Sequence, residues 1–262
     1  DVLMPDCYPD YQINAQAKKP VVDTADYMKT ARELGRVPWI MPQGFDWSFY
    51  GGTRYATSRG PTLDEMRCQA WLSVVHGARG ILWFIYGHTQ SSYHFRWGRE
   101  FVERELHALF PALLAPELPD AVQSSNKKVH CALRKVDDKL YLFAVNADPG
   151  PQQATLTLAD MPAEGWVVVS ENRRLAGQNG KMVDSFAPYE VHIYTTDDRL
   201  GELEPIGPLR RKIDEAQAAG VKPGNILYRN LNMKIVMSSG DAYDIGPVNV
   251  PRLLIDGMAD PE

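Results

Sequence analysis

Along residues 1–115 the apolar positions switch repeatedly between short unbroken runs and helical spacing. Leu63, Met66, Ala70, Trp71, Val74 and Val75 recur at three-, four- and seven-residue intervals, the stripe of an amphipathic helix. Thr62, followed three residues later by Glu65, predicts a capping box at its start, and Gly77 a left-handed cap at its end. The period then changes: Ile81 to Tyr86 is an unbroken run of β-branched and aromatic residues, which predicts a parallel strand buried on both faces. Val2-Leu3-Met4 and Val37 to Met41 predict two earlier buried strands. Thr24 is the expected N-cap of a helix with Tyr27, Met28, Ala31 and Leu34 on its inner stripe and Gly35 as its cap. Phe101, Val102, Leu106, Leu109, Phe110, Leu113 and Leu114 predict a third helix that stops near Pro116.

Strand, helix, strand, helix, strand, helix implies a parallel α/β sheet. Three such units cannot close a barrel, but they fit the last strands and helices of a (β/α)8 (TIM) barrel. A flavodoxin-like open sheet is the alternative, and it would leave an exposed edge and a small core. Beyond residue 118 the pattern is different. Lys128–Arg134, Leu140–Asn146, Ala154–Leu158, Trp166–Val169 and Val191–Tyr194 are short strand-like runs separated by Gly, Pro, Asn and Asp, with no helix between them, as in an antiparallel β-sandwich. The expected division is thus 1–118, the C-terminal part of a (β/α) barrel; 119–197, the β-sandwich; 198–223, a linker with a helix over Leu209–Ala219; and 224–262, a further β module or irregular tail.

The chain of 262 residues is 44% hydrophobic and 23% charged, ordinary globular material. A net charge of -5 argues against nucleic acid and anionic membrane partners, which call for a basic face. Cys7, Cys68 and Cys131 show no paired spacing, so neither a disulfide framework nor a zinc site is indicated. No run approaches the ~18 apolar residues of a membrane span. HExxH, Walker, GxGxxG and GxSxG motifs are absent, and no cofactor is implied. The opening Asp1-Val2-Leu3-Met4 reads as the inside of a strand, so the sequence is expected to be a processed or truncated piece, with the remainder of a longer chain or another subunit as its partner.

PTLDEMRCQAWLSVVHGARGILWFIYGH from Pro61 to His88, the preceding WIMPQGF and the opening DVLMPDCYPDY together resemble the last third of (β/α)-barrel glycoside hydrolases. In these a helix with an E-x-R element and a G-A-x-G turn precede the eighth strand, and a small β-sandwich follows. FAVN and Phe186 to Tyr194 are similar to that sandwich. Gly224-Asn225-Ile226, Ser238-Ser239 and Leu254-Ile255-Asp256-Gly257 resemble the opening of a discoidin-type carbohydrate-binding domain. The resemblance implies a carbohydrate substrate and an extracellular or periplasmic location. One departure matters: Gln43 stands where the largest clan of such enzymes places a nucleophilic Glu, and an amide cannot attack an anomeric carbon. Either the carboxylates lie on other strands or the nucleophile is missing.

Glycosidic cleavage needs two carboxyl groups across the bond. Asp6, just past the first strand, is the best placed and would act as general acid/base or orient the sugar; Asp46 is the second candidate. The competing reading for Asp6 is an Asx-type cap of the Pro5–Pro9 loop or sugar binding without chemistry, and for Asp46 a solvated loop position. Tyr8, Gln43, Trp47, Tyr86 and His88 occupy strand ends or the loops after them, where aromatic faces and planar amide or imidazole groups suit sugar C–H faces and hydroxyls. Asp10, Asp23 and Asp26 read as solvated loop or helix-start residues. Arg67 and His76 read as structural. The expected function is a glycoside hydrolase whose second carboxylate lies outside this sequence, with a non-catalytic carbohydrate-binding protein or a structural fragment as alternatives.

Overall fold

The computed structural model describes residues 1–50, 55–84, 92–162 and 164–219, the side chain of Phe49 aside, and the backbone of 226–236 and 242–253. The first part runs β1 (Val2–Leu3), β2 (Asp6–Cys7), α1 (Asp23–Glu33), β3 (Val37–Pro42), α2 (Leu63–Val75), β4 (Gly80–Ile81), α3 (Tyr93–Ala108) and α4 (Phe110–Leu114). Strands β1, β2 and β4 each pair with β3, all parallel. The N–H groups of Val37 and Met41 bond to Asp1 and Pro5 on one edge, while the carbonyls of Pro38, Ile40 and Pro42 receive Arg79, Leu82 and Phe84 on the other. β3 is therefore central.

Side chains alternate along a strand, and here burial alternates with them. Cys7, Ile40 and Ile81 turn toward α1 and α2, where Met28 and Ala78 complete a core cluster. On the other face Val2, Val37, Trp39 and Leu82 remain 52%, 41%, 36% and 50% exposed. The strands expected to be buried on both faces are thus covered on one. Helices pack against a single side, and among the described residues nothing lies across the other. Gly80 lets the Trp39 indole lie flat on that face, since a Cβ there would come within 2.4 Å of the ring.

Helix boundaries follow from caps and breakers. The capping box is formed in both directions, Glu65 N to Thr62 Oγ1 at 3.2 Å and Thr62 N to Glu65 Oε2 at 2.8 Å. Gly77 has φ +93, the left-handed geometry expected of it. Thr24 is not the cap of α1. Val22 holds that position, and Thr24 is buried inside the helix with its hydroxyl against Cys7 Sγ and Gln69. The inner stripe of α1 is Thr24, Ala25, Met28 and Ala31, whereas Leu34 ends up 63% exposed beyond the helix. The third helix starts earlier than its apolar stripe and is interrupted, with Pro111 opening the short α4.

Strands β5 (Val122–Ser124), β6 (Val129–Val136), β7 (Lys139–Asn146), β8 (Gln152–Leu158), β9 (Trp166–Val168), β10 (Arg173–Leu175), β11 (Lys181–Phe186) and β12 (Val191–Thr195) follow. They form a five-stranded antiparallel sheet in the order β10-β9-β12-β7-β6 and a three-stranded one in the order β11-β8-β5. Leu142, Trp166 and Tyr194 of the larger sheet share one buried cluster with Leu156, Met182 and Phe186 of the smaller. The short β5 and β10 carry few apolar residues and leave little trace in the sequence, and β11 falls outside the expected runs. Helix α5 (Ile206–Ala218), expected as a linker helix, docks on α2 and α3 through Ile206, Leu209 and Ile213, and Arg210 pairs with Asp64 at 2.6 Å. The backbone of β13 (Ile226–Val236) pairs antiparallel with β14 (Ala242–Leu253). The architecture is mixed α/β, and no helix among the described residues is long and apolar enough to cross a membrane.

α2 is buried around its whole circumference rather than along one stripe, every residue from Glu65 to Val75 included. One side meets the parallel sheet and α1. The other meets the larger antiparallel sheet, where Trp71 stacks on Phe143 with centroids 5.2 Å apart. Most of its polar groups are accordingly paired, Gln69 Oε1 being the exception. Arg67, 1% exposed, makes a two-pronged ion pair with Glu105 of α3 at 2.8 and 2.9 Å and donates to the Val191 carbonyl of β12 at 2.6 Å. Burial disfavours the guanidinium charge, but Glu105 more than offsets it and holds the Arg67 pKa above its ordinary value. Arg134 of β6 donates to Val74 O at the end of α2 and to Leu113 O of α4, a cation at two helix C-termini. His130 of β6 bonds His76 across the two parts at 2.9 Å.

Two stability predictions follow from this joint. Replacing Arg67 with Met leaves Glu105 buried and uncompensated and should cost about 3–5 kcal/mol in chemical denaturation, with Arg67→Met/Glu105→Leu less destabilised than either single variant. Burial, followed by His130, lowers the His76 pKa to about 4, and burial lowers that of His130. An unfolded chain therefore takes up these protons first. The stabilisation is complete above pH ~6.5 and is lost as the pH falls toward 4, so the urea midpoint should drop over that window and drop less in His76→Leu.

Candidate functional site

In parallel α/β sheets the carboxyl ends of the strands are where side chains stop packing and face a ligand. Here Cys7 of β2 pairs with Pro42, and the next position of β3, Gln43, bridges in parallel to Phe84 beyond β4. Tyr8, Gln43 and Phe84 therefore end adjacent strand lines side by side. Asp6 pairs with Met41 and points opposite Cys7, toward the uncovered face, where it is exposed.

The loop after β3 folds back over these ends. Gln43 is fully buried, accepts from Asp10 N at 3.0 Å and donates to Phe45 O at 3.0 Å, so its amide fastens two loops. Gly44 fits beneath, its N–H on Phe84 O at 2.5 Å and the Phe95 ring against its Cα. Phe45 packs edge-on to Tyr8, Trp47 and Phe84 with centroids 5.2, 4.8 and 5.8 Å apart. Trp47 stacks on Tyr55 at 5.2 Å, the planes 13° apart, and Tyr50 adds an exposed rim. Burial first, then the nearby Asp6, push the Tyr8 phenol well above its ordinary pKa, so Tyr8 is a neutral hydroxyl at neutral pH.

Of the residues singled out from the sequence, Asp6, Tyr8, Gln43 and Trp47 share this end of the sheet. Asp46 lies between Phe45 and Trp47, but its Oδ1 accepts from Ser48 N at 2.8 Å and caps the 3-10 turn Trp47–Tyr50. Tyr86 and His88 lie outside the described residues. Phe45, Tyr55 and Phe84 were not singled out. Phe84 shares the strand parity of Leu82, a signal that was available, whereas Tyr55 reaches Trp47 through loop folding that no local pattern encodes. Asp10 is not a solvated loop residue. Its carboxylate accepts from Ser58 Oγ at 2.8 Å and Gln12 Nε2 at 2.9 Å and pairs with Lys18 at 2.7 Å. Arg67 and His76 are structural, as read from the sequence. His192 is enclosed, bonded to Glu171 and to the Ser185 carbonyl. Among the described residues no three His, Cys, Asp or Glu side chains converge to hold a metal.

Gly44→Ala should displace Phe95 or the Phe84 backbone, because the added methyl would sit 2.5 Å from the ring and 2.9 Å from the carbonyl oxygen. A cost of about 1–3 kcal/mol in thermal or chemical unfolding is expected, together with altered near-UV circular dichroism from the platform.

No protein-family model matches the chain, and no curated protein does. Solved structures similar to it include glycoside hydrolases. A GH30 endoxylanase from Clostridium papyrosolvens is 15% identical over 73% of this chain and 48% of its own, with a TM-score of 0.41. An alpha-amylase from Geobacillus thermoleovorans complexed with acarbose is 10% identical over 68% of this chain and 45% of its own, with a TM-score of 0.48. A noncanonic maltogenic alpha-amylase from Thermotoga neapolitana is 11% identical over 74% and 41%, with a TM-score of 0.37. The chain spans less than half the length of each, and at this level of similarity no residue role is carried across.

Proposed function

We propose that the chain is part of a glycoside hydrolase that acts on oligo- or polysaccharide at the carboxyl end of its parallel sheet. The observation that carries this reading is the placement of a solvent-facing carboxylate, Asp6, and a neutral phenol, Tyr8, beside the rings of Phe45, Trp47 and Phe84. Aromatic faces bind the C–H faces of sugars, and a carboxyl group can protonate a departing glycosidic oxygen. Asp6 serves as general acid/base or orients the sugar; Tyr8, Trp47, Tyr86 and His88 bind it; Gln43 holds the loops that carry the aromatic platform, and Asp46 caps one of them.

The apolar exposure of Val2, Val37, Trp39 and Leu82 supports a further reading of architecture. Parallel sheets are stable when both faces are covered. Residues 1–118 form the closing strands and helices of a (β/α)8 barrel whose other strands cover that face and supply the second carboxylate. Residues 119–197 form an antiparallel β-sandwich behind it, 198–223 a linker with its helix, and 224–262 the start of a discoidin-like β module. An extracellular or periplasmic setting belongs to the same proposal. Gln43 favours a second reading, a carbohydrate-binding protein without chemistry, because a buried amide already bonded to two loops offers no nucleophile.

The full-length protein should hydrolyse aryl-glycosides or oligosaccharides. Asp6→Asn should lower kcat by about 10²–10⁴-fold without changing the unfolding midpoint. Sugar binding with no turnover in the wild type supports the binder, and neither activity across a glycan panel rejects both.

A further inference from the structure

We infer that Asp10 is the positioning residue of the aromatic platform, holding Trp47 in place through two separate arms. This rests on the reading of that platform as a saccharide site.

The first arm runs through the backbone. Asp10 has φ +56, a left-handed conformation that an L residue adopts at some cost, and it turns the Asp10 N–H onto Gln43 Oε1 at 3.0 Å. Gln43 passes the constraint on by donating to Phe45 O, and Phe45 lies 4.8 Å from Trp47, ring to ring. The second arm runs through the carboxylate. Asp10 Oδ2 pairs with Lys18 Nζ at 2.7 Å, and that ammonium sits 6.0 Å from the centroid of Tyr55, the ring stacked on Trp47. Asp10 Oδ1 meanwhile ties in the incoming segment through Ser58 Oγ at 2.8 Å. One residue thus meets the loop after β2, the loop after β3 and the segment leading into α2. The Asp10 side chain is only 15% exposed and its carboxylate oxygens are engaged by these partners, so it acts on a ligand through Trp47 and does not touch one.

The two arms can be separated. Asp10→Gly keeps the left-handed backbone, and with it the N–H to Gln43, at less conformational strain, but removes the carboxylate. Asp10→Asn keeps an acceptor for Ser58 and loses only the charge that holds Lys18. The readout is the near-UV circular dichroism of full-length protein that depends on Trp47, taken as wild type minus Trp47→Phe, with the thermal midpoint measured in parallel. Asp10→Gly should lose that signal by about twofold or more with a midpoint close to wild type, Lys18→Met should lose part of it, and Asp10→Asn should restore part of what Gly removes; where a saccharide binds, Asp10→Gly should weaken binding about tenfold. An unchanged Trp47 signal in Asp10→Gly, or a lowered midpoint with the signal intact, overturns the assignment. The spectral test needs no ligand. A wild-type protein that binds no saccharide therefore refutes the functional reading while the Trp47 signal still decides the role of Asp10.

Discussion

The structure turns on a fully enclosed ion pair. Arg67 and Glu105 join α2 to α3, and the third donor of Arg67 reaches the backbone of β12, 124 positions later in the chain. Two charges taken out of water are stable only with near-complete hydrogen bonding, and here the guanidinium fork matches the carboxylate while Trp71 Nε1 adds a donor to Glu105 at 3.3 Å. The pair fixes where the parallel sheet and its helices meet the antiparallel sheets. A rotation of α2 would break it and strand both charges in an apolar interior.

α2 consequently acts as a shared wall. Gln69 on one side donates to Cys7 O at 2.9 Å, next to the candidate site, while Cys68 and Trp71 on the other side pack against the antiparallel sheet. The candidate site inherits rigidity from this arrangement, since Cys7 directly precedes Tyr8. The uncovered face of the parallel sheet is the converse case. Its apolar side chains are arranged as regularly as the buried ones, but no described element lies over them.

Much of the organisation was legible beforehand. The capping box at Thr62, the left-handed Gly77, the parallel β3 and the antiparallel pattern after residue 118 are all local signals, written in spacing of a few residues. At the candidate site the strand-end positions of Tyr8 and Gln43 were legible for the same reason, whereas Asp6, expected in a loop just past the first strand, pairs with Met41 inside the short β2. The cap of α1 was misplaced because Thr24 is a good N-cap by type, and its hydroxyl was claimed instead by Cys7 and Gln69 from other elements.

What the sequence alone determined, then, is the order and type of the elements and which residues end the strands, because periodicity and capping act over one or two turns. Tertiary structure decided what those residues do. Gln43 became a buried loop fastener, Asp46 a cap, Asp10 a junction, and His130 the partner of His76, each through contacts between segments far apart in the chain. Burial and pairing are properties of three-dimensional neighbours, and an unbroken apolar run such as Ile81-Leu82-Trp83-Phe84 looks the same whether one face of its sheet is covered or both.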